Sequence, residues 1–129
     1  MANSRNSGQF KEYATVDTQP SGVALGYWTN EVCPRDLVNE GRSKGKVWFS
    51  IRENEADSSA ASDTSSMTVT LQFKCNGDSG WQDYVPLDGS ALAVGNRLVI
   101  EDTGAGVRWR AGVKDGEYTS GSLTFGFDW

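Results

Sequence analysis

The sequence predicts an all-β protein, an antiparallel β-sandwich or jelly roll with a flexible N-terminal arm. Short runs in which apolar and polar side chains alternate recur along the chain, and turn-forming residues separate them roughly every ten residues. Almost no segment has helical periodicity. Short strands bounded by turns at this spacing are typical of two-sheet domains. The 129 residues suit one domain with a core of its own.

The beginning of the chain is predicted to be the flexible arm. Residues 1–9 are rich in asparagine, serine and glycine and carry almost no apolar content. The single domain is predicted to span residues 10–129. Its first strand is expected near its start, where Phe10, Ala14 and Val16 share one parity.

The least strand-like part of the chain follows the apolar run GVALGYW, which is predicted to be strand or loop. There, Pro34 precedes several residues compatible with a helix, and Gly41 comes after them. Proline is favoured at the first helical position and glycine just past the last one. One or two helical turns are therefore predicted between these two residues.

Two strands are predicted on either side of a long polar loop. KVWFSIRE, residues 46–53, alternates so that Trp48 faces away from the apolar row. Residues 54–66 are small and polar, and loops of this length are usually functional or mobile. MTVTLQFKC, residues 67–75, has the clearest alternation in the chain, and it places Cys75 in the row predicted to be buried.

The next elements are predicted from turn chemistry and from weaker alternation. NGDSG, residues 76–80, is a strong turn, and WQDYVPL after it is the expected partner strand. A further strand is predicted at residues 97–101. Together with the two C-terminal strands described next, these segments bring the expected number of short strands to seven or eight, roughly the content of a two-sheet sandwich.

The C-terminal segment predicts two more strands. Val107, Trp109, Ala111 and Val113 alternate with a basic row that is predicted to be a solvated strand face; this row comprises Arg108, Arg110 and Lys114. Further on, Leu123, Phe125 and Phe127 share their parity with the final residue, Trp129. Trp129 is therefore predicted to close the end of the core, or to lie at a subunit boundary, where aromatic residues are enriched.

Composition and charge exclude several classes of function. The net charge of −5 argues against sequence-independent binding to nucleic acid. The chain has no apolar run long enough to span a membrane and no visible signal peptide, which predicts synthesis in a cytoplasm. Cys33 and Cys75 lack metal-type spacing and are predicted to be buried free thiols rather than a disulfide.

No constellation for catalysis or metal binding is found in the sequence. The chain contains no histidine, the commonest general base and metal ligand. Asp78, Asp83 and Asp88 recur at regular spacing, but aspartate is ordinary at turns because it bonds its own backbone. The sequence therefore predicts a protein that is not an enzyme and has no cofactor, metal or catalytic residue.

Five tryptophans make a sugar-binding module an alternative to be weighed, because flat indoles on a β-sandwich can stack on sugar rings. Trp109 and Trp129 are in phase with the core. The exposed platform for such stacking is predicted to be Tyr27, Trp28 and Trp48, although burial in a core is the default for aromatic side chains.

The second half of the chain, roughly residues 67–129, contains a series of motifs from TVTLQFKC to the final FGFDW. The series is a Thr/Val strand, W-x-D-Y, Gly-Val-x-Trp-Arg, Tyr-Thr-Ser-Gly and a final aromatic strand. The positions that carry it are Trp81, Asp83, Tyr84, Gly106, Val107, Trp109, Arg110, Tyr118, Thr119, Ser120 and Gly121. In these motifs, which cover about half of the chain, the sequence resembles small structural proteins of tailed bacteriophages.

Within that group the chain is most similar to capsid decoration, or cement, proteins. The resemblance implies a short β-sandwich or jelly roll that forms a homodimer or homotrimer on the outer capsid surface of the virion. It implies contacts with major capsid protein subunits, and no nucleic acid or membrane partner. The alternatives are a tail fibre or tail-tip adhesin domain and a carbohydrate-binding module. The predicted partner-contact residues are Arg5, Phe10, Tyr27, Trp28, Trp48 and Trp129.

Overall fold

A computed structural model describes residues 10–16, 27–53, 67–84 and 97–129 of the chain. Its elements along the chain are β1 (Glu12–Val16), β2 (Tyr27–Trp28), α1 (Pro34–Asn39), β3 (Lys46–Glu53), β4 (Thr70–Lys74), β5 (Gln82–Asp83), β6 (Arg97–Glu101), β7 (Arg108–Val113) and β8 (Leu123–Asp128). Sheet A has the order β1-β8-β3-β6, and sheet B has the order β2-β7-β4-β5.

Every strand pair in both sheets is antiparallel, so the predicted all-β antiparallel sandwich is confirmed. The pairing is also nested along the chain. β4 pairs with β5, β3 with β6, β2 with β7 and β1 with β8, while β3–β8 and β4–β7 complete the two sheets.

The core lies between the two sheets and is built from the apolar rows that the alternation predicted. β8 is a central strand of sheet A and brings Leu123, Phe125 and Phe127 into the core, beside Phe49 of β3. Sheet B contributes residues such as Leu71. Alternation fixes these rows because successive side chains of a strand point to opposite faces.

The helix also forms where the sequence predicted it. Pro34 occupies the first turn of α1, where its missing N–H has no partner to lose, and Leu37 turns inward to the core. Gly41 follows with a φ of 71°, and its N–H donates to the carbonyl of Val38. A left-handed residue is a common helix terminator, which explains why glycine stands there.

Two interpretations of single side chains are wrong. Cys75 is exposed, because β4 ends at Lys74 and the turn begins at the cysteine, whose carbonyl accepts from the N–H of Asp78. Cys33 is half-buried, and both cysteines are free, as predicted. Phe10 shares the parity of Val16 but not its surroundings. The chain bends at residue 11 before β1 begins, so Phe10 stays outside the core cluster.

Several predictions lie outside the described residues. These are the arm at residues 1–9 with Arg5, the polar loop at residues 54–66, and the turn aspartate Asp88. Of the partner strand expected after the NGDSG turn, Gln82–Asp83 pairs with β4, and residues 85–87 lie outside the described residues.

Candidate interaction surfaces

The outer face of sheet A, called face A, consists of the outward side chains of β1, β8, β3 and β6. It carries three large apolar side chains with unusual exposure: Tyr13 at 43%, Trp48 at 42% and Val99 at 37%. Trp48 of β3 lies directly opposite Val99 of β6, so these two side chains are cross-strand neighbours. Face A therefore presents apolar side chains to solvent on β1, β3 and β6, and we call these three side chains the apolar stripe.

Tyr13 of the edge strand β1 lies opposite a glycine of the central strand β8. Gly126 of β8 pairs with Tyr13 of β1. A Cβ at position 126 would overlap the carbonyl oxygen of Glu12 and lie 2.7 Å from the Cβ of Tyr13. The missing side chain therefore lets β1 approach β8 closely, and it determines where the tyrosine sits on face A.

An ion pair under an aromatic ring occupies the rest of face A. Nη2 of Arg52 donates to Oδ2 of Asp128 at 3.1 Å, and its guanidinium carbon lies 4.1 Å from the ring centre of Phe10. Burial raises the pKa of Asp128, and the charge of Arg52 opposes that rise. Phe10 is only 5% exposed, so its ring covers the guanidinium of its own chain and offers little surface to a partner.

The outer face of sheet B, called face B, carries a ladder of stacked rings and cations. The guanidinium carbon of Arg110 lies 4.2 Å from the ring centre of Trp28 and 4.4 Å from that of Trp81. Nζ of Lys74 lies 5.9 Å from the ring centre of Trp81. We call these four side chains the tryptophan–arginine ladder. It joins strands that are not sequence neighbours.

The base of the ladder depends on a second glycine. Trp28 of β2 pairs with Gly112 of β7, two residues beyond Arg110. A Cβ at position 112 would overlap the carbonyl oxygen of Tyr27 and the indole of Trp28. Since only glycine leaves this space, the indole can lie against β7 with a face available to the guanidinium.

Hydrogen bonds extend the ladder across face B. Nε of Arg110 donates to Oε1 of Gln72 at 3.0 Å, and Nε2 of Gln72 donates to Oδ1 of Asp83 at 2.8 Å. Nζ of Lys114 donates to the other oxygen of Asp83 at 2.7 Å. The bond from Lys114 and then that from Gln72 lower the pKa of Asp83, and burial lowers the pKa of Arg110. The alternation predicts that the basic row is solvated. This prediction is wrong for Arg110, which is packed between two indoles.

Neutralising Asp83 is expected to reduce stability near neutral pH and to matter less in acid. Since the folded-state pKa of Asp83 is lowered, its contribution is present above the ordinary value of 3.8 and is lost as pH falls through the lowered pKa. The difference in free energy of unfolding between wild type and Asp83→Asn should be less than about 1 kcal/mol, because the pair is partly exposed. Urea titrations from pH 7 downward measure this difference.

The control for this prediction is Asp115→Asn, which neutralises an exposed turn residue. The exchange removes a carboxylate without removing the bonds from Lys114 and Gln72 to Asp83, so it should lower stability at pH 7 by less than Asp83→Asn does. An Asp83→Asn difference that grows as the pH falls would contradict the proposed role of the Lys114 and Gln72 contacts.

A cleft of about 280 Å³ opens beside α1 at the end of β8. Val32, Leu37 and Trp129 supply apolar lining, and side chains of both charge signs surround it, among them Arg42 and Asp36. Mixed charges of this kind select neither an anion nor a cation by long-range attraction. The cleft is therefore a weaker candidate binding site than the two sheet faces.

Trp129 packs against the core, which confirms the phase of the last strand. The ring is half-buried beside the core cluster. Nζ of Lys11 lies 5.7 Å and the guanidinium carbon of Arg42 lies 5.3 Å from its ring centre. The final residue thus ties the start of β1 and the segment after α1 to the end of β8.

Trp129→Ala is expected to lower the free energy of unfolding by less than the roughly 3–5 kcal/mol typical of a fully buried tryptophan. The reason is that one side of the ring faces the cleft and two cations, so only part of its surface is removed from solvent. Thermal denaturation followed by circular dichroism measures the loss. An unchanged melting temperature would contradict this packing role.

The predicted aromatic platform does not form a single surface. Tyr27 packs against the core, Trp28 belongs to face B, and Trp48 belongs to face A. The prediction groups them because the GVALGYW run has no clear phase of its own. Their placement separates one candidate contact surface, which contains Trp48, from another, which contains Trp28.

Sequence reasoning missed the roles of Trp81 and Arg110. Trp81 follows the NGDSG turn, and Arg110 sits in a row of basic residues, so neither stands out locally. The signal that links them is a three-dimensional register in which β7 pairs with both β2 and β4. Alternation predicts the face of each residue, but it does not predict which strands are neighbours.

Within the part of the chain that the structure describes, no cluster of three or more potential ligands is placed to hold a metal ion. No helix among the described residues is long and apolar enough to cross a membrane.

Comparisons with known proteins place the chain in no family. No protein-family model matches it, and no curated protein matches it either. One solved structure that it resembles is described as the crystal structure of Yersinia pseudotuberculosis-derived mitogen (YPM). The two chains are 19% identical, the match covers 88% of this chain and 81% of that one, and the TM-score is 0.40. A likeness of this degree carries no conclusion about function.

Proposed function

We propose that the protein is a bacteriophage virion structural protein, a capsid decoration protein that binds the outer surface of the capsid shell through face A. The observation that carries the proposal is the exposed stripe of Tyr13, Trp48 and Val99 on that face. Large apolar side chains grouped on one surface are typical of protein contacts, and aromatic residues are enriched there.

Two further features support this proposal. The structure is an antiparallel two-sheet sandwich, and double-sheet domains include the jelly rolls that viral capsid and lectin domains use. The net charge of −5 suits a protein that lies outside the shell and does not bind the packaged nucleic acid. In this proposal the partners are the major capsid protein and further copies of the chain.

The mechanism proposed is cohesion by burial of apolar surface. A stripe that contacts two neighbouring capsid subunits adds contact area across their boundary and so opposes their separation. The segment at residues 1–9, which carries Arg5, is proposed to contact a neighbouring capsid subunit as well. The protein needs no catalytic group for this role.

A binding assay on assembled shells tests the proposal. Shells formed by the major capsid protein of the same phage are sedimented with wild-type protein, Trp48→Ala or Trp28→Ala. Trp48→Ala should weaken co-sedimentation by roughly tenfold or more, on the order of the effect of a central interface tryptophan. Trp28→Ala, a matched tryptophan on face B, should bind as the wild type does. Equal binding by all three proteins would refute the role of face A.

A second candidate function is sugar binding on face B, as in a tail-tip adhesin or carbohydrate-binding domain. The observation that favours it is the position of Trp28 and Trp81 on the same face as Gln72 and Asp83, which carry hydrogen-bonding groups. A screen against soluble host-surface glycans tests it with the same two variants. Binding that is lost in Trp28→Ala and kept in Trp48→Ala would favour this function over capsid decoration.

A further inference from the structure

The edge of sheet A formed by β6 has a sequence that is complementary to itself. β6 is the last strand in the order β1-β8-β3-β6, and no described strand pairs with its other side. Its sequence is Arg-Leu-Val-Ile-Glu, with Val99 at the centre. Two copies paired antiparallel about Val99 would place Arg97 of each opposite Glu101 of the other, and Leu98 opposite Ile100.

The backbone of β6 points the required groups outward. The N–H of Asp102 donates to the carbonyl of Gly45 at 2.7 Å, so this is a hydrogen-bonded pair of the β3–β6 ladder. Hydrogen-bonded and non-hydrogen-bonded pairs alternate along an antiparallel ladder. Positions 98 and 100 therefore bond to β3, whereas the N–H and C=O groups of residues 97, 99 and 101 face the side of β6 on which no described strand pairs.

The side-chain pattern and the backbone pattern of β6 are both satisfied when the pairing is centred on Val99. Pairing about Val99 uses the outward backbone groups at positions 97, 99 and 101, and each such pair exchanges both of its main-chain hydrogen bonds. A shift of the symmetry centre by one residue in either direction also matches outward groups. It places Val99 opposite a charged residue and leaves the other charged residue beyond the paired segment. The side chains therefore select the register centred on Val99. In that register each charged residue lies opposite a residue of the other sign, and each apolar residue lies opposite an apolar one.

Pairing of two β6 strands would also cover side chains that are exposed or only half-buried in the single chain. Leu98 faces the core side but is only half-buried, because the sheet ends there. Arg97 and Glu101 are exposed, and neither forms an ion pair within the described ranges. Charged residues on an edge strand usually protect it from pairing. Arg97 and Glu101 instead favour pairing, because they lie at positions symmetric about Val99 and each would face the opposite charge in a second copy.

We propose that the protein forms a twofold-symmetric homodimer in which the β6 strands of two copies pair antiparallel about Val99. The two A sheets then become one continuous eight-stranded sheet. Trp48 and Val99 of each copy extend the apolar stripe of face A across the symmetry axis, since Val99 lies beside Trp48 within each copy. The proposal deepens the proposed function by naming the second copy as a partner, but it rests on β6 and not on capsid binding.

Charge-reversal variants test the proposed dimer in a way that misfolding cannot mimic, because mixing two of them should restore association. Arg97→Glu places two glutamates opposite each other at both ends of the contact, and Glu101→Arg places two arginines there. Each variant alone should be monomeric by sedimentation velocity at low ionic strength, while the wild type is dimeric. A mixture of the two variants restores opposite charges at both ends, and it should form heterodimers with one copy of each.

Two further variants act as controls. Lys44→Glu changes the net charge as Arg97→Glu does but lies in a bend outside β6, and it should remain dimeric. Val99→Pro removes an N–H that β3 does not use, so it should keep the circular dichroism spectrum of the wild type and be monomeric.

Several results would overturn the inference. A wild type that stays monomeric at its highest soluble concentration would do so, as would a trimer or charge-reversal variants that dimerise as the wild type does. A mixture of the variants that remains monomeric would do so too. Because self-association is measured without shells, these results leave the proposed capsid role untouched, and loss of shell binding in Trp48→Ala leaves the dimer untouched.

Discussion

Phe127→Ala is expected to lower the free energy of unfolding by about 3–5 kcal/mol, the usual cost of removing a buried phenylalanine. Phe127 is 0% exposed and lies in β8, which is flanked by β1 and β3. Its ring centre lies 5.4 Å from that of Phe49, its cross-strand partner. The loss is a large share of a typical domain stability of roughly 5–15 kcal/mol.

Urea denaturation followed by tryptophan fluorescence measures this effect. The matched control is Val99→Ala, which truncates an exposed strand residue of the same sheet and should cost much less. If both variants unfold at the same urea concentration as the wild type, Phe127 does not belong to the core, and the sandwich described above is incorrect.

Gly126→Ala is expected to be the most damaging small change on face A. The added methyl would overlap the carbonyl oxygen of Glu12 and lie 2.7 Å from both Cα and Cβ of Tyr13, so β1 must move away from β8. Overpacking a closely packed site typically costs about 1–3 kcal/mol, and more where backbone atoms are the obstacle. The stability of the variant is measured by thermal denaturation, and separation of β1 by faster amide hydrogen exchange at residues 12–16.

The matched control for this change is Gly80→Ala. A Cβ at position 80 would have no atom within 4 Å, and Gly80 does not have a positive φ, so alanine should be tolerated there. A Gly126→Ala protein as stable as the Gly80→Ala protein would show that β1 does not lie against β8 in the register described.

The parts of the fold that could be predicted from the sequence are the strands in which apolar and polar side chains alternate. β3 and β6 have the bounds that alternation predicted, and β8 forms within the predicted apolar row, because each has a buried face and a polar or outward one. The pattern in β4 is less direct. The isolated bridge at Met67 precedes the strand, so part of the predicted strand contributes to the core without belonging to the ladder.

The surfaces were harder to predict, because they depend on which strands are neighbours. The phase of Trp48 alone predicts its outward face correctly. The tryptophan–arginine ladder could not be predicted, since Trp28, Arg110 and Trp81 come from segments that meet only in the folded sheet. Phe10 shows a different limit: a bend at the start of a strand breaks the parity on which the prediction rests.

Faces A and B differ in what they leave available to a partner. On face B the half-buried rings of Trp28 and Trp81 already stack on a cation of the same chain, and Gln72 and Asp83 bond to each other. On face A the apolar atoms of Trp48 and Val99 lie in the open. Burying the stripe on face A would thus release more ordered water for each contact made, which is why the proposed docking surface is face A.

The copy number of the protein in purified phage particles is the most direct test of whether it decorates the capsid shell. Quantitative mass spectrometry of the particles gives the ratio of this chain to the major capsid protein. A capsid decoration protein should be present in proportion to the shell subunits, at a fixed ratio set by the symmetry of the capsid. Its absence from the particle, or a small number of copies typical of a tail component, would contradict the account.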